Sequence, residues 1–219
     1  MTTFPGSPRL LKGGIVLIDP ATGAVQRVIT LQYNPATLQR SLTARTVAEA
    51  GNDRSQALRL TGPPQETYTL EAEIDAADQL EKPAEHQAVV EHGIAPQLAA
   101  LESILYPPSG RLISNHALAA AGVLEIAPVE QPLMLFVWSR NRVMPVRLTS
   151  YSVTEEAFDP RLNPLRAKVS LGFRVLTVDD LGFDHRGGNI YLAYHQQVER
   201  LATRAAGGAL GDLGLTGIP

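Results

Sequence analysis

The alternation of apolar and polar positions is clearest between residues 166 and 178. Because a β-strand sends successive side chains to opposite faces, this alternation predicts a strand with one mostly apolar and one mostly polar face. A strand longer than usual needs partner strands along its whole length, so the rest of the sheet is expected to form around it. Its apolar positions are Ala167, Val169, Leu171, Phe173, Val175 and Thr177, and its polar positions are Lys168, Ser170, Gly172 and Arg174.

The N-terminal part of the chain predicts a β-hairpin. Residues 14–18 form a short apolar strand, and residues 19–23 contain the Pro and Gly that a tight turn requires. Residues 24–33 form the second arm, which ends at Asn34-Pro35 because proline lacks the donor that a strand needs. The apolar positions of this arm are Val25, Ile29, Leu31 and Tyr33.

Two further strands are predicted before the centre of the chain. Residues 38–47 alternate loosely, which favours a strand over a helix, and residues 67–74 alternate strictly. Between them, residues 48–65 are rich in polar and turn-forming types and predict a long exposed loop. The apolar positions of the second strand are Tyr68, Leu70, Ala72 and Ile74.

The run at residues 133–138 is apolar on both faces, which is typical of a central strand that is covered twice. We expect the domain's own helix on one side, and a surface of another subunit on the other. Residues 143–154 form the return strand, and the change of parity near Thr149 and Ser150 predicts a bulge.

Helical periodicity is strongest at residues 83–106, where Pro83 suits the first turn and Gly93 predicts a kink or a junction of two helices. Residues 109–127 are a weakly patterned connector. A second helix is predicted at residues 189–205, with Asn189 as its N-cap, after a linker at residues 179–188.

These elements predict a mainly β fold with flanking helices. We divide the chain into an N-terminal arm at residues 1–12, a β domain at 13–180 and a C-terminal part at 181–219. The last part contains the linker, the C-terminal helix and a flexible glycine-rich tail.

Composition narrows the class of function. The chain has 219 residues with 19 basic and 22 acidic side chains, a balance that gives no long-range attraction to nucleic acid or anionic lipid. Without cysteine it has neither disulfides nor thiolate metal sites. Because no secretory signal or bilayer-length apolar run is found, we expect a soluble protein made in the cytoplasm.

Candidate catalytic groups are few. No two histidines have the spacing of a helical zinc site, and the motifs of serine hydrolases and phosphate loops are absent. Asp184-His185-Arg186 is a candidate acid–base group, but its composition is that of a surface loop. Glu155 and Glu156 are neighbours on an extended chain and point apart. The histidines are His86, His92, His116, His185 and His195.

Three other features have one structural and one functional interpretation. Arg186-Gly187-Gly188 precedes a predicted helix, so it is a hinge or a site for one anion. Trp138 is a core residue or part of a ligand pocket. Lys168 and Arg174 line a lumen or an interface, or are simply solvated. We therefore expect no catalytic residues, no metal and no cofactor.

Three stretches resemble the N-terminal domain of contractile injection system tube-type proteins. The first is VITLQYNPATLQRS at residues 28–41, and the second is the proline-led turn and strand at residues 159–169. The third is the helix LAALESILYPP at residues 98–108. The matching positions are Tyr33, Asn34, Pro35, Thr37, Leu38, Arg40, Pro164, Arg166, Ala167 and Val169.

The resemblance implies a baseplate adaptor of a phage-tail-like particle. Such proteins have a tail-tube-like β-barrel of two packed antiparallel sheets with a central helix, and six copies form a ring between spike and inner tube. The implied partners are identical copies, the inner tube protein, the spike protein, and baseplate wedge and sheath proteins. Longer members carry a LysM domain, which we do not expect after the helix at 189–205.

A function of another class stays open. A small-ligand-binding barrel or a minor hydrolase would use His185 or Glu155.

Overall fold

A computed structural model describes residues 10–46, 59–122 and 131–218, which form an α+β fold. Seven strands belong to one antiparallel sheet: β1 Gly14–Ile18, β2 Val25–Thr30, β3 Leu38–Thr43, β4 Gln65–Asp75, β5 Leu133–Ser139, β6 Arg142–Phe158 and β7 Pro164–Val175. The helices of the described residues are α1 Ala77–Leu80, α2 Gln87–His92, α3 Ala95–Glu102, α4 Ser109–Ala120, α5 Val178–Leu181 and α6 Arg186–Ala202. A 3-10 turn follows at Leu210–Leu213.

The predicted strand at 166–178 is the centre of the sheet, as β7. The strand order is β2-β1-β5-β6-β7-β4-β3, so β7 pairs with β6 on one side and β4 on the other. Its apolar positions are buried from Ala167 to Val175, which confirms the alternation. The strand ends before Thr177 because the Thr177 side chain accepts a hydrogen bond from the Asp179 amide and begins α5.

The sheet is strongly curled around its apolar face. Tyr68 on β4 and Phe136 on β5 lie three strand spacings apart, which is about 14 Å in a flat sheet. Their ring centroids are nevertheless 5.9 Å apart, and Phe136 also stacks on Phe173 at 5.1 Å. These aromatic contacts across the concave side require the sheet to bend so that β4 approaches β5.

Gln32 connects the segment after β2 to the end of β4. After β2, its side-chain amide donates to the Asp75 carbonyl at 2.7 Å and its Oε1 accepts from the Asp75 amide at 3.0 Å. This pair of bonds satisfies the backbone of β4's last residue as a neighbouring strand would.

Helices cover the sheet on both sides. Val89 of α2, Leu98 of α3 and Ile94 between the two helices lie in the main core, which also contains Tyr191 and Tyr194 of α6. On the outer face, Leu133 and Leu135 form a smaller cluster with Ile18, packed by side chains of α5 and α6. The double covering predicted for residues 133–138 is therefore confirmed, but this chain supplies both covers itself.

Several helix boundaries differ from those predicted. Within 83–106 the predicted junction of two helices at Gly93 is confirmed, but Pro83 lies before α2 instead of in its first turn. The expected connector at 109–127 contains helix α4 up to Ala120, and the expected linker at 179–188 contains the end of α5 and the start of α6. His185, not Asn189, is the N-cap of α6, because its Nδ1 accepts from the Gly187 amide at 3.0 Å.

All seven predicted strands are present, but their ends differ: β4 and β6 are longer than predicted, and β2 and β3 are shorter. The stretch 38–47 is a strand only to Thr43, and 24–33 is a strand only from Val25 to Thr30. The predicted bulge is confirmed, since the β6–β7 register shifts between Leu148 and Ser150. Most of the arm at 1–12 and of the loop at 48–65 lies outside the described residues. In the described ranges, no helix combines the length and apolarity needed to cross a bilayer.

Replacing Tyr151 by phenylalanine should stabilise the fold by up to about 1 kcal/mol at neutral pH. Its hydroxyl is buried without a hydrogen-bond partner among the described residues. Burial, with the nearby carboxylates of Glu102 and Glu155, raises the pKa of Tyr151 to about 12 from the ordinary 10.0. In the unfolded chain the phenol ionises first, so wild-type stability falls as pH rises from 10 toward 12.

Urea unfolding at pH 7 and at pH 11 measures both effects. Tyr151→Phe should show the higher midpoint at pH 7 and the smaller loss at pH 11. A midpoint below wild type at pH 7, with an unchanged alkaline loss, would mean that the hydroxyl has a partner.

Candidate functional site

Arg40, one of the signature positions, belongs to a buried polar network between β3, β4 and α6. Its Nε donates to Glu66 Oε1 at 2.6 Å and its Nη2 donates to the Tyr194 hydroxyl at 3.0 Å. Tyr194 donates in turn to Glu66 Oε1 at 2.7 Å, and its oxygen lies 3.2 Å from the Tyr68 hydroxyl. The network fastens the C-terminal helix to the edge of the sheet.

Burial determines the electrostatics of this network. Glu66 is 4% exposed, and a carboxylate at such depth is tolerated only with charged or hydrogen-bonding partners. Burial and the neighbouring Tyr68 and Glu66 raise the pKa of Tyr194, so it stays a neutral donor. Burial also raises the pKa of Tyr68. The arrangement therefore holds two phenols as hydrogen-bonding groups and places no free charge in the core.

Glu66 and Tyr194 are absent from the site residues that the sequence predicts. One signal was present: Glu66 has the same parity as Tyr68 and Leu70, so it faces the concave side at the start of β4. No comparable signal connects Tyr194 with β4, since the contact is between distant parts of the chain.

The Tyr33-Asn34-Pro35 element fastens two other segments. Asn34 Oδ1 accepts from the Gly13 amide at 2.9 Å, and its Nδ2 donates to the Leu11 carbonyl at 2.7 Å. The Tyr33 hydroxyl donates to Asp78 of α1 at 3.1 Å. Asn34 thus holds the chain entering β1, and Tyr33 holds the first helix. Of the remaining signature positions here, Pro35 and Leu38 are partly buried and Thr37 is exposed.

The turn between β6 and β7 lies against the end of α2. Asp159 organises the turn, because its carboxylate accepts from the amides of Arg161 and Asn163 at 2.7 and 2.9 Å. The Asn163 side chain also donates to Asp159. This bond has the largest effect, and together with the two amide bonds it lowers the pKa of Asp159. The Asn163 side chain donates to the Glu91 carbonyl at 3.0 Å, and the buried Pro164 carbonyl accepts from Ile94 at 2.8 Å. The turn therefore caps α2 and begins α3.

The other signature residues of this stretch divide between core and surface. Ala167 and Val169 are completely buried in the main core. Arg166 is on the outer face, where its Nη2 lies 2.6 Å from Asp75 Oδ2. This bond raises the pKa of Arg166. Arg166 thus joins β7 to the end of β4.

The outer face of β6, β7, β4 and β3 is polar. Lys168 is 3.5 Å from Glu156, and Arg174 forms an ion pair with Asp180 at the start of α5. Both cations proposed for a lumen or an interface are therefore paired with carboxylates of their own chain. Arg147 and Arg174 face each other across β6 and β7, and Glu71 is exposed on β4.

Two edges of the sheet have no neighbouring strand in the part of the chain that the structure describes. β2 pairs only with β1, and β3 pairs only with β4. Val25 and Val28 on β2 are 62% and 57% exposed. Unpaired strand backbone with exposed valines is a site where another strand can add.

The candidate catalytic residues are not brought together. His185 caps α6, and Arg186 donates to the carbonyls of Pro20 and Ala21 in the β1–β2 turn at 3.3 and 3.2 Å. Glu155 and Glu156 are successive residues of β6, so their side chains lie on opposite faces of the sheet. Within residues 10–46, 59–122 and 131–218, no cluster of metal-ligating side chains occurs. Trp138 packs beside Phe136 against the core, at 6.0 Å between ring centroids.

Compared with models of known protein families and with curated protein sequences, the chain has no match.

Proposed function

We propose that this chain is a structural ring component of a phage-tail-like contractile injection particle. Six copies form a ring that joins the spike to the inner tube, with baseplate wedge and sheath proteins as further partners. The particle assembles in the cytoplasm. The number of copies and the partners come from the sequence resemblance described above.

The observation that supports the ring most directly is that β2 and β3 each have one edge unpaired among the described residues. β2 and β3 lie at opposite ends of one sheet, so β2 of one copy and β3 of the next are different surfaces. Pairing between different surfaces is head to tail, and it closes into a ring when the rotation between copies is suitable. Closure would also remove both edges from water, where they invite aggregation.

The curl of the sheet supports the tube-like barrel. Tyr68 and Phe136 meet across the concave side, and Gln32 connects the segment after β2 to the end of β4. We propose that the two halves of the sheet correspond to the two packed sheets of a tail-tube barrel, with α2 and α3 as its central helix.

The test is the mass and symmetry of the purified chain, alone and with inner tube and spike proteins. We expect a six-fold ring by native mass spectrometry and electron microscopy. Val28→Lys should disperse the ring into folded monomers, because it places a charge on the β2 edge. Leu162→Lys is the matched control, since Leu162 is 79% exposed but lies on the β6–β7 turn.

A wild-type chain that stays monomeric at high concentration and does not associate with tube or spike would refute the proposal. Rings that persist in Val28→Lys would leave the ring in place but show that it closes through another surface.

A further inference from the structure

We draw no further inference here: the strongest candidate, the apolar groove of about 460 Å³ between the end of α3, the start of β5 and α5, has Gln131 and Pro132 in its wall next to residues 123–130, which lie outside the described part of the chain, and nothing in the structure shows what covers it.

Discussion

Replacing Glu66 by alanine should destabilise the fold by about 2 kcal/mol, because it removes a buried charged acceptor and leaves the buried Tyr194 hydroxyl without that partner. Arg40 would lose its bond of 2.6 Å, and the Tyr194 hydroxyl would lose its acceptor at 2.7 Å. Two chain segments, β3 and α6, meet β4 through this carboxylate. Urea unfolding followed by far-UV circular dichroism measures the loss.

Glu71→Ala is the matched control for this change. It removes the same side chain from the same strand, but Glu71 is exposed on the outer face, so we expect a change within about 0.5 kcal/mol. Tyr194→Phe removes the central hydroxyl of the network and should cost less than Glu66→Ala. If Glu66→Ala unfolds at the same urea concentration as Glu71→Ala, the network does not stabilise the fold.

Replacing Gly93 by alanine should cost about 3 kcal/mol, since it combines a backbone strain of about 1–3 kcal/mol with a clash. Gly93 has φ +58°, and a Cβ there would lie 2.1 Å from the Pro164 carbonyl oxygen. That oxygen accepts the Ile94 amide and begins α3. The alanine would therefore push the β6–β7 turn away from the helices that it caps.

Gly110→Ala tests the same substitution where nothing opposes it. Gly110 is in α4, and no atom lies within 4 Å of a Cβ placed there. Since alanine is a better helix former than glycine by about 1 kcal/mol, we expect no loss of stability. Equal midpoints for Gly93→Ala and wild type would show that the turn moves away without cost.

The strands were predictable because each is a local alternation. All seven strands are predicted from the sequence, and the apolar positions of β7 are buried, as its alternation predicts. Their pairing was not predictable in this way, since parity says which face is buried but not which strand is adjacent. The doubly apolar β5 shows the limit: its second cover was expected from another copy, but is supplied by Leu181 and Ile190.

The helices and the polar network were harder to predict. Gly93 indicated the break between α2 and α3, but not that Pro164 requires it. Helix α4 has a weak pattern of leucine and alanine, which predicts only a connector. The hydrogen bond between Tyr194 and Glu66 joins residues that are far apart in the sequence. The pattern of apolar positions around each residue can predict that it is buried, but not that the two residues contact each other.

The strand order also bears on how the chain folds during synthesis. The hairpin β1–β2 is made first, yet β1's other neighbour is β5, where Ile15 pairs with Phe136. The hairpin β6–β7, in contrast, closes between adjacent parts of the chain. Because contacts between distant segments form slowly, the first hairpin to leave the ribosome must wait for β5, with Val25 and Val28 exposed to other nascent chains.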